Sequence, residues 1–263
     1  MALIATTGTW LLTALGAATV IFFKKPKDSI LNIIMGFAAG VMIAASFWSL
    51  LQPAVERADQ YLPVPAWLVA TGGFLCGALF IWVSDKLIGL AQRKANTSDS
   101  LQPNERLRRV VMLILSITMH NIPEGLAVGV AFGALHQNAN TPDAIMASVS
   151  IAVGIGLQNF PEGAAVALPL RREGYSRFKS FMLGQASGIV EPIAGVIGAL
   201  LVVSMESILP FALAFAAGAM IIVAVHELIP ECQADSRKTN AYHATMGIII
   251  GFALMTLLDV MLS

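Results

Sequence analysis

The chain has two cysteines in 263 residues, Cys76 and Cys232. Neither has a CxxC partner and both fall in or beside apolar stretches, which excludes a disulfide framework and a thiolate metal cluster. Charge is scarce too: Asp, Glu, Lys and Arg make up 12% of the residues, against about 25% in soluble domains. Net charge is zero, and no nucleic-acid partner is expected. No basic residue precedes the first apolar run, whereas Lys24, Lys25 and Lys27 follow it. That order is the reverse of a cleaved signal peptide, so the run is expected to stay as a first membrane helix.

What is present is apolar: 57% of residues are hydrophobic and the mean hydropathy is +0.76. A hydrocarbon core about 30 Å thick needs roughly 20 apolar residues as a helix. Eight segments meet that requirement, near residues 3 to 23, 30 to 51, 64 to 84, 110 to 135, 144 to 170, 180 to 204, 207 to 230 and 244 to 262. They are continuous runs without strand-like alternation, so the fold expected is an all-α polytopic membrane protein of eight helices in one domain, 1–263. A polar connector over 86–109 is expected to be a mobile cytoplasmic loop.

Basic residues orient the spans, because positively charged loops stay in the cytoplasm. The connector after the first segment holds Lys24, Lys25 and Lys27, and the one after the third holds Lys86, Arg93, Lys94, Arg106, Arg108 and Arg109. Arg171, Arg172, Arg177 and Lys179 follow the fifth segment, and Arg237 and Lys238 the seventh. Only Arg57, flanked by Glu56 and Asp59, lies in a connector of the other set. Both termini are therefore expected outside the cytoplasm, which requires an even number of crossings.

Two repeats are visible. FAAGVMI at 37–43 returns as FAAGAMI at 215–221, an offset of 178, and GALFIWVSD at 77–85 is echoed by GFALMTLLD at 251–259. The paired segments cross in opposite senses, as in the inverted repeats of secondary transporters. Asp85 and Asp259 are read as polar helix ends without a role. A third repeat, MHNIPEGLAVGV at 119–130 and LQNFPEGAAVAL at 157–168, falls in the middle of two spans.

Each copy of that motif reads [H/Q]-N-x-P-E-G. Residues three and four apart share a helix face, so His120, Asn121 and Glu124 lie together, as do Gln158, Asn159 and Glu162. Pro123 and Pro161 release a carbonyl one turn back and kink the helices there. Glu191 adds a third carboxylate in the sixth segment. An ionised Glu at a helix centre costs about 2.5–3.5 kcal/mol, and no span offers these three a Lys or Arg. Protonation would leave unexplained why histidine and amide lone-pair donors recur at the same depth. A bound divalent cation satisfies all of them, and imidazole, carboxylate and amide oxygen suit zinc, iron, manganese or cobalt better than copper(I). Met42, in the repeated segment, offers a thioether. In HELIPE, 226–231, Pro230 stands where a zinc-protease HExxH needs its second His, so His226 and Glu227, with Glu231, read as a relay or exit site.

HNIPEG at 120–125, QNFPEG at 158–163, EP at 191–192 and HELIPE at 226–231 resemble the ZIP metal transporters in a short prokaryotic form. The resemblance covers the whole chain. It implies eight helices arranged three, two and three, with inverted repeats flanking the fourth and fifth, and import of zinc or of cadmium, iron, manganese or cobalt. It implies a first metal site from Met42, His120, Glu124, Gln158 and Glu162, and a second from Asn121, Asn159 and Glu191 sharing Glu124 and Glu162. It also implies an exit path past His226 and Glu227. The chain departs from it in two ways: some bacterial members carry aspartate where Asn159 stands, and the histidine-rich third connector of many eukaryotic relatives is missing. The lost charge leads us to expect that both sites are rarely filled together. The expected setting is a bacterial plasma or inner membrane, multi-pass, with the metal as cargo, no cofactor, no enzymatic activity, and room for a homodimer. The competing expectations are an ion-coupled carrier of another solute and an intramembrane metalloenzyme.

Overall fold

A computed structural model describes residues 1–22, 27–97, 105–135, 141–172, 174–204, 206–233 and 238–262. All regular structure among them is helical, and we number eight rods. α1 is Ala2–Ala18 with a 3-10 turn, Thr19–Ile21. α2 joins Asp28–Ala45, a π turn Ser46–Leu51 and Gln52–Tyr61. α3 is Ala66–Thr97, α4 Glu105–Ala134 and α5 Pro142–Arg172. α6 is Arg177–Ala186 and Val190–Ser204, broken between them. A 3-10 turn, Glu206–Ile208, leads into α7, which joins Leu209–Val223, a π turn Ala224–Leu228 and Ile229–Gln233. α8 is Lys238–Leu262.

Local chemistry starts and stops these rods. Thr141 caps α5, its hydroxyl accepting from the Ala144 amide at 3.3 Å, and Ser176 caps α6 through the Lys179 amide at 3.2 Å. Gly174, at φ 88°, makes the turn between them, a backbone region that a side chain disfavours. Three rods depart from the expected lengths. The described parts of the 86–109 connector, 86–97 and 105–109, are helix, because α3 continues through AQRKAN, a run rich in good helix formers; residues 98–104 lie outside the described ones. At 32 residues α3 is about 48 Å long, well beyond the hydrocarbon thickness. α2 likewise continues to Tyr61 through a polar stretch, and α6 is interrupted at 187–189.

Seven of the rods are long and apolar enough to cross a membrane. The other, α4, has its side chains from 105 to 116 outside the described ones. Burial is distributed as a lipid solvent demands. Leu68, Leu75, Leu79 and Trp82 of α3 and Ile249, Phe252 and Leu257 of α8 are exposed, while Thr9, Thr13, Asn121, Gln158 and Glu124 are buried.

The rods pack in four pairs: α1 with α5, α2 with α8, α3 with α7 and α4 with α6. In each pair the contacting residue numbers rise together, as in Gly36 on Ala244 and Gly40 on Ile248, or Gly125 on Glu191 and Gly133 on Ala199, so the partners run parallel. Rods that cross a bilayer in alternation can be parallel only if an odd number of crossings lies between them in the chain, and all four pairs obey this. The pairing also honours the repeats. Gly77 lies on the carbonyl of Phe215 and Gly251 on that of Phe37; Gly40 lies on Ile248 and Gly218 on Phe74. In each case the second contact is the first carried through the repeat offsets. The two π turns begin at Ser46 and Ala224, again 178 residues apart.

Candidate metal site

α4, α5, α6 and α1 meet around a buried polar centre. Asn121, Glu124, Gln158, Asn159, Glu162 and Glu191 are each at most 5% exposed, so water cannot satisfy them. Close packing delivers them there: a Cβ at Gly125 would strike the Glu191 backbone, and one at Gly163 the carbonyl of Thr13. These glycines therefore draw α6 and α1 against the two PEG motifs. Pro123 and Pro161 are tolerated inside continuous helices.

The hydrogen bonds give every amide an orientation. Gln158 Nε2 donates to Glu124 Oε1 at 2.7 Å. Asn121 Nδ2 donates to the Ser187 carbonyl at 2.8 Å, in the break of α6. Asn159 Nδ2 donates to Glu191 Oε2 at 2.8 Å and to the Thr9 carbonyl at 3.3 Å. Asn121–Ser187 and Asn159–Thr9 are one contact seen twice through the offsets of 38 and 178. With each NH2 group facing an acceptor, each amide oxygen faces the other way. Asn121 Oδ1, Gln158 Oε1 and Asn159 Oδ1, together with Glu124 Oε2 and Glu162 Oε1, are buried without a hydrogen-bond partner.

These five atoms are all acceptors. Leaving buried acceptors unpaired costs about 1–3 kcal/mol each, and more when charged, and the three carboxylates are near enough to interact through their charges. Such a set fits a hard or borderline cation, which needs several converging oxygens and no donor. Among the described residues no three His, Cys, Asp or Glu side chains form a ligand group alone; the amide oxygens add further acceptors beside the carboxylates. His120 lies on α4, but its side chain is outside the described ones.

The other expected ligands lie apart from this hydrogen-bonded centre or beside it. Met42 is fully buried in the main apolar cluster with Val128 and Ile155. His226 is exposed and Glu227 half-buried, both in the π turn of α7; the side chain of Glu231 is outside the described ones. Two residues of the centre went unread in the sequence, Thr9 and Thr13, whose hydroxyls donate to Glu191. Thr6, Thr9 and Thr13 fall on one face of an otherwise apolar segment, and the 178 offset places Thr13 on Glu191; either signal points to them. Asp259, given no role from the sequence, is buried and accepts from the Ser49 hydroxyl at 2.6 Å. It lines a cavity of about 760 Å³ with Trp48, Gln52, Glu56 and Ser148.

The family model described as ZIP Zinc transporter matches residues 89–259. "Zinc transporter ZIP11" of Xenopus tropicalis is 40% identical, the match covering 98% of this chain and 96% of the relative. "Zinc transporter GufA" of Myxococcus xanthus is 33% identical over 95% and 94%, and "Zinc transporter ZIPB" of Bordetella bronchiseptica 33% over 94% and 76%.

Proposed function

The chain belongs to the ZIP zinc transporter family, and on that premise we propose that it carries zinc into the cytoplasm through the α4–α6 centre. It is a multi-pass membrane protein that transports a divalent metal. The observation that carries the finer reading is the set of five buried acceptor oxygens with no donor and, in the whole sequence, no Lys or Arg at that depth to neutralise the carboxylates. An intramembrane carboxylate without a counter-charge marks an ion path.

In this reading one transmembrane domain, 1–263, is built as three, two and three helices, the outer triplets inverted copies, with both termini outside a bacterial cell membrane. Metal enters through the cavity beside Asp259 and Glu56, loses water to Glu124, Glu162, Gln158 and His120, with Met42 completing the first site and Asn121, Asn159 and Glu191 lining a second that is rarely filled at the same time. It leaves past His226 and Glu227 when one set of rods moves against the other. The metal is cargo; the chain holds no resident cofactor and is not an enzyme. Cadmium, iron, manganese and cobalt are further cargoes by donor chemistry, and a homodimer is compatible with the apolar outer faces of α3 and α8.

The test is purified protein in proteoliposomes, offered zinc, cadmium, iron(II), manganese and cobalt separately. Zinc is expected to enter fastest. Uptake of none of them overturns the proposal.

A further inference from the structure

Glu191 differs from the other two carboxylates in having both oxygens taken. Oε2 accepts from Thr9 Oγ1 at 2.6 Å and from Asn159 Nδ2 at 2.8 Å, and Oε1 accepts from Thr13 Oγ1 at 3.3 Å. Glu124 and Glu162 each keep an unpartnered oxygen. Thr9 and Thr13 are buried on α1, at 2% and 1% exposure; each hydroxyl has one proton, and for each the contact to Glu191 is shorter than the alternative on α1, Thr9 Oγ1 to the Thr6 carbonyl at 3.0 Å and Thr13 Oγ1 to the Thr9 carbonyl at 3.5 Å. Thr13 is also the position that the 178 offset carries onto Glu191: where α6 has an acceptor, α1 has a donor.

Resting on the cation site proposed above, we propose that Thr9 and Thr13 are positioning residues that tie Glu191 to α1 and so hold the centre to one metal ion per chain. A second ion beside Glu191 must compete with these donors for its lone pairs, of which Oε2 has both engaged and Oε1 one. The 2.6 Å contact has the length of a charge-assisted O–H···O⁻ bond, among the strongest a side chain makes, and it must be broken or shared. Asn159 adds a second obstacle, since its NH2 group presents hydrogens where that ion approaches. Glu124 Oε2, Glu162 Oε1 and Gln158 Oε1 carry no such donors and take the first ion.

The experiment counts zinc per purified chain by elemental analysis across a zinc titration. The wild-type chain is expected to saturate at one, and Thr9→Val with Thr13→Val to gain a second, weaker ion. Thr9→Ser with Thr13→Ser keeps the hydroxyls and returns one. Glu191→Gln added to the valine pair removes the gain, a result that general loosening does not produce. If the valine pair does not yield folded protein, Thr9→Ala carries the same two outcomes. Two ions on the wild type, or one on the folded valine pair, overturn the proposal. No zinc on the wild type overturns the underlying site itself.

Discussion

The four rods α2, α3, α7 and α8 and the four rods α1, α4, α5 and α6 are joined by one device, parallel pairs in which a glycine lies on a partner's carbonyl, yet they bury opposite chemistry. In the first set the described interior is mainly apolar, as at Ala38, Val41, Met42, Leu213 and Met220, with Asn32, Ser46, Ser49, Ser84 and Asp259 as its buried polar residues. In the second it holds Thr9, Thr13, Asn121, Glu124, Gln158, Asn159, Glu162 and Glu191. Close approach in lipid thus supplies assembly for both sets, while function comes from what the same closeness forces together. The first set is mainly a frame, to which the proposed path adds Met42, His226 and Glu227, and the second holds the buried polar centre.

The largest effect that sharpens this contrast is expected from Glu124→Ala or Glu162→Ala. Each should abolish uptake of labelled zinc in vesicles while the protein remains inserted and folded; unchanged uptake would erase the distinction between the sets. Next come the frame glycines. Gly77→Ala and Gly251→Ala each push a methyl onto a carbonyl and should destabilise by about 1–3 kcal/mol, by similar amounts because the contacts are equivalent. Thermal unfolding in detergent measures both, and a marked inequality would break the equivalence of the repeats.

How much of this was legible in the sequence divides along the same line. Hydropathy and basic loops marked eight segments, and the PEG motifs marked two of the three buried carboxylates, Glu124 and Glu162, because period and charge are properties of the chain alone. The extension of α2 through Gln52–Tyr61 was hidden by its polarity, which reads as a connector until its packing on α3 and α7 is seen. The π turns at Ser46 and Ala224 leave no residue signature. Thr9 escaped because hydropathy scores threonine as neutral, whereas one hydroxyl at 2.6 Å from a buried carboxylate is a major local interaction.

Smaller effects refine the contrast. Gln158→Leu removes a donor to Glu124 and an unpartnered oxygen together, and is expected to weaken zinc about tenfold, in the range seen for outer ligand partners. Concentration-dependent uptake reads it as a raised KM. Ser49→Ala breaks the bond to Asp259 outside the polar centre and should cost about 0.5–1.5 kcal/mol of stability, seen in the same unfolding assay, with zinc counted per chain unchanged.

The claim beneath all of these is that a divalent cation sits among the buried oxygens of α4 and α5. An anomalous-scattering map of zinc-soaked crystals tests it most directly. A zinc peak in bonding reach of Glu124 Oε2 and Glu162 Oε1 is the predicted result; zinc confined to surface sites, with both glutamates free of metal, would contradict it.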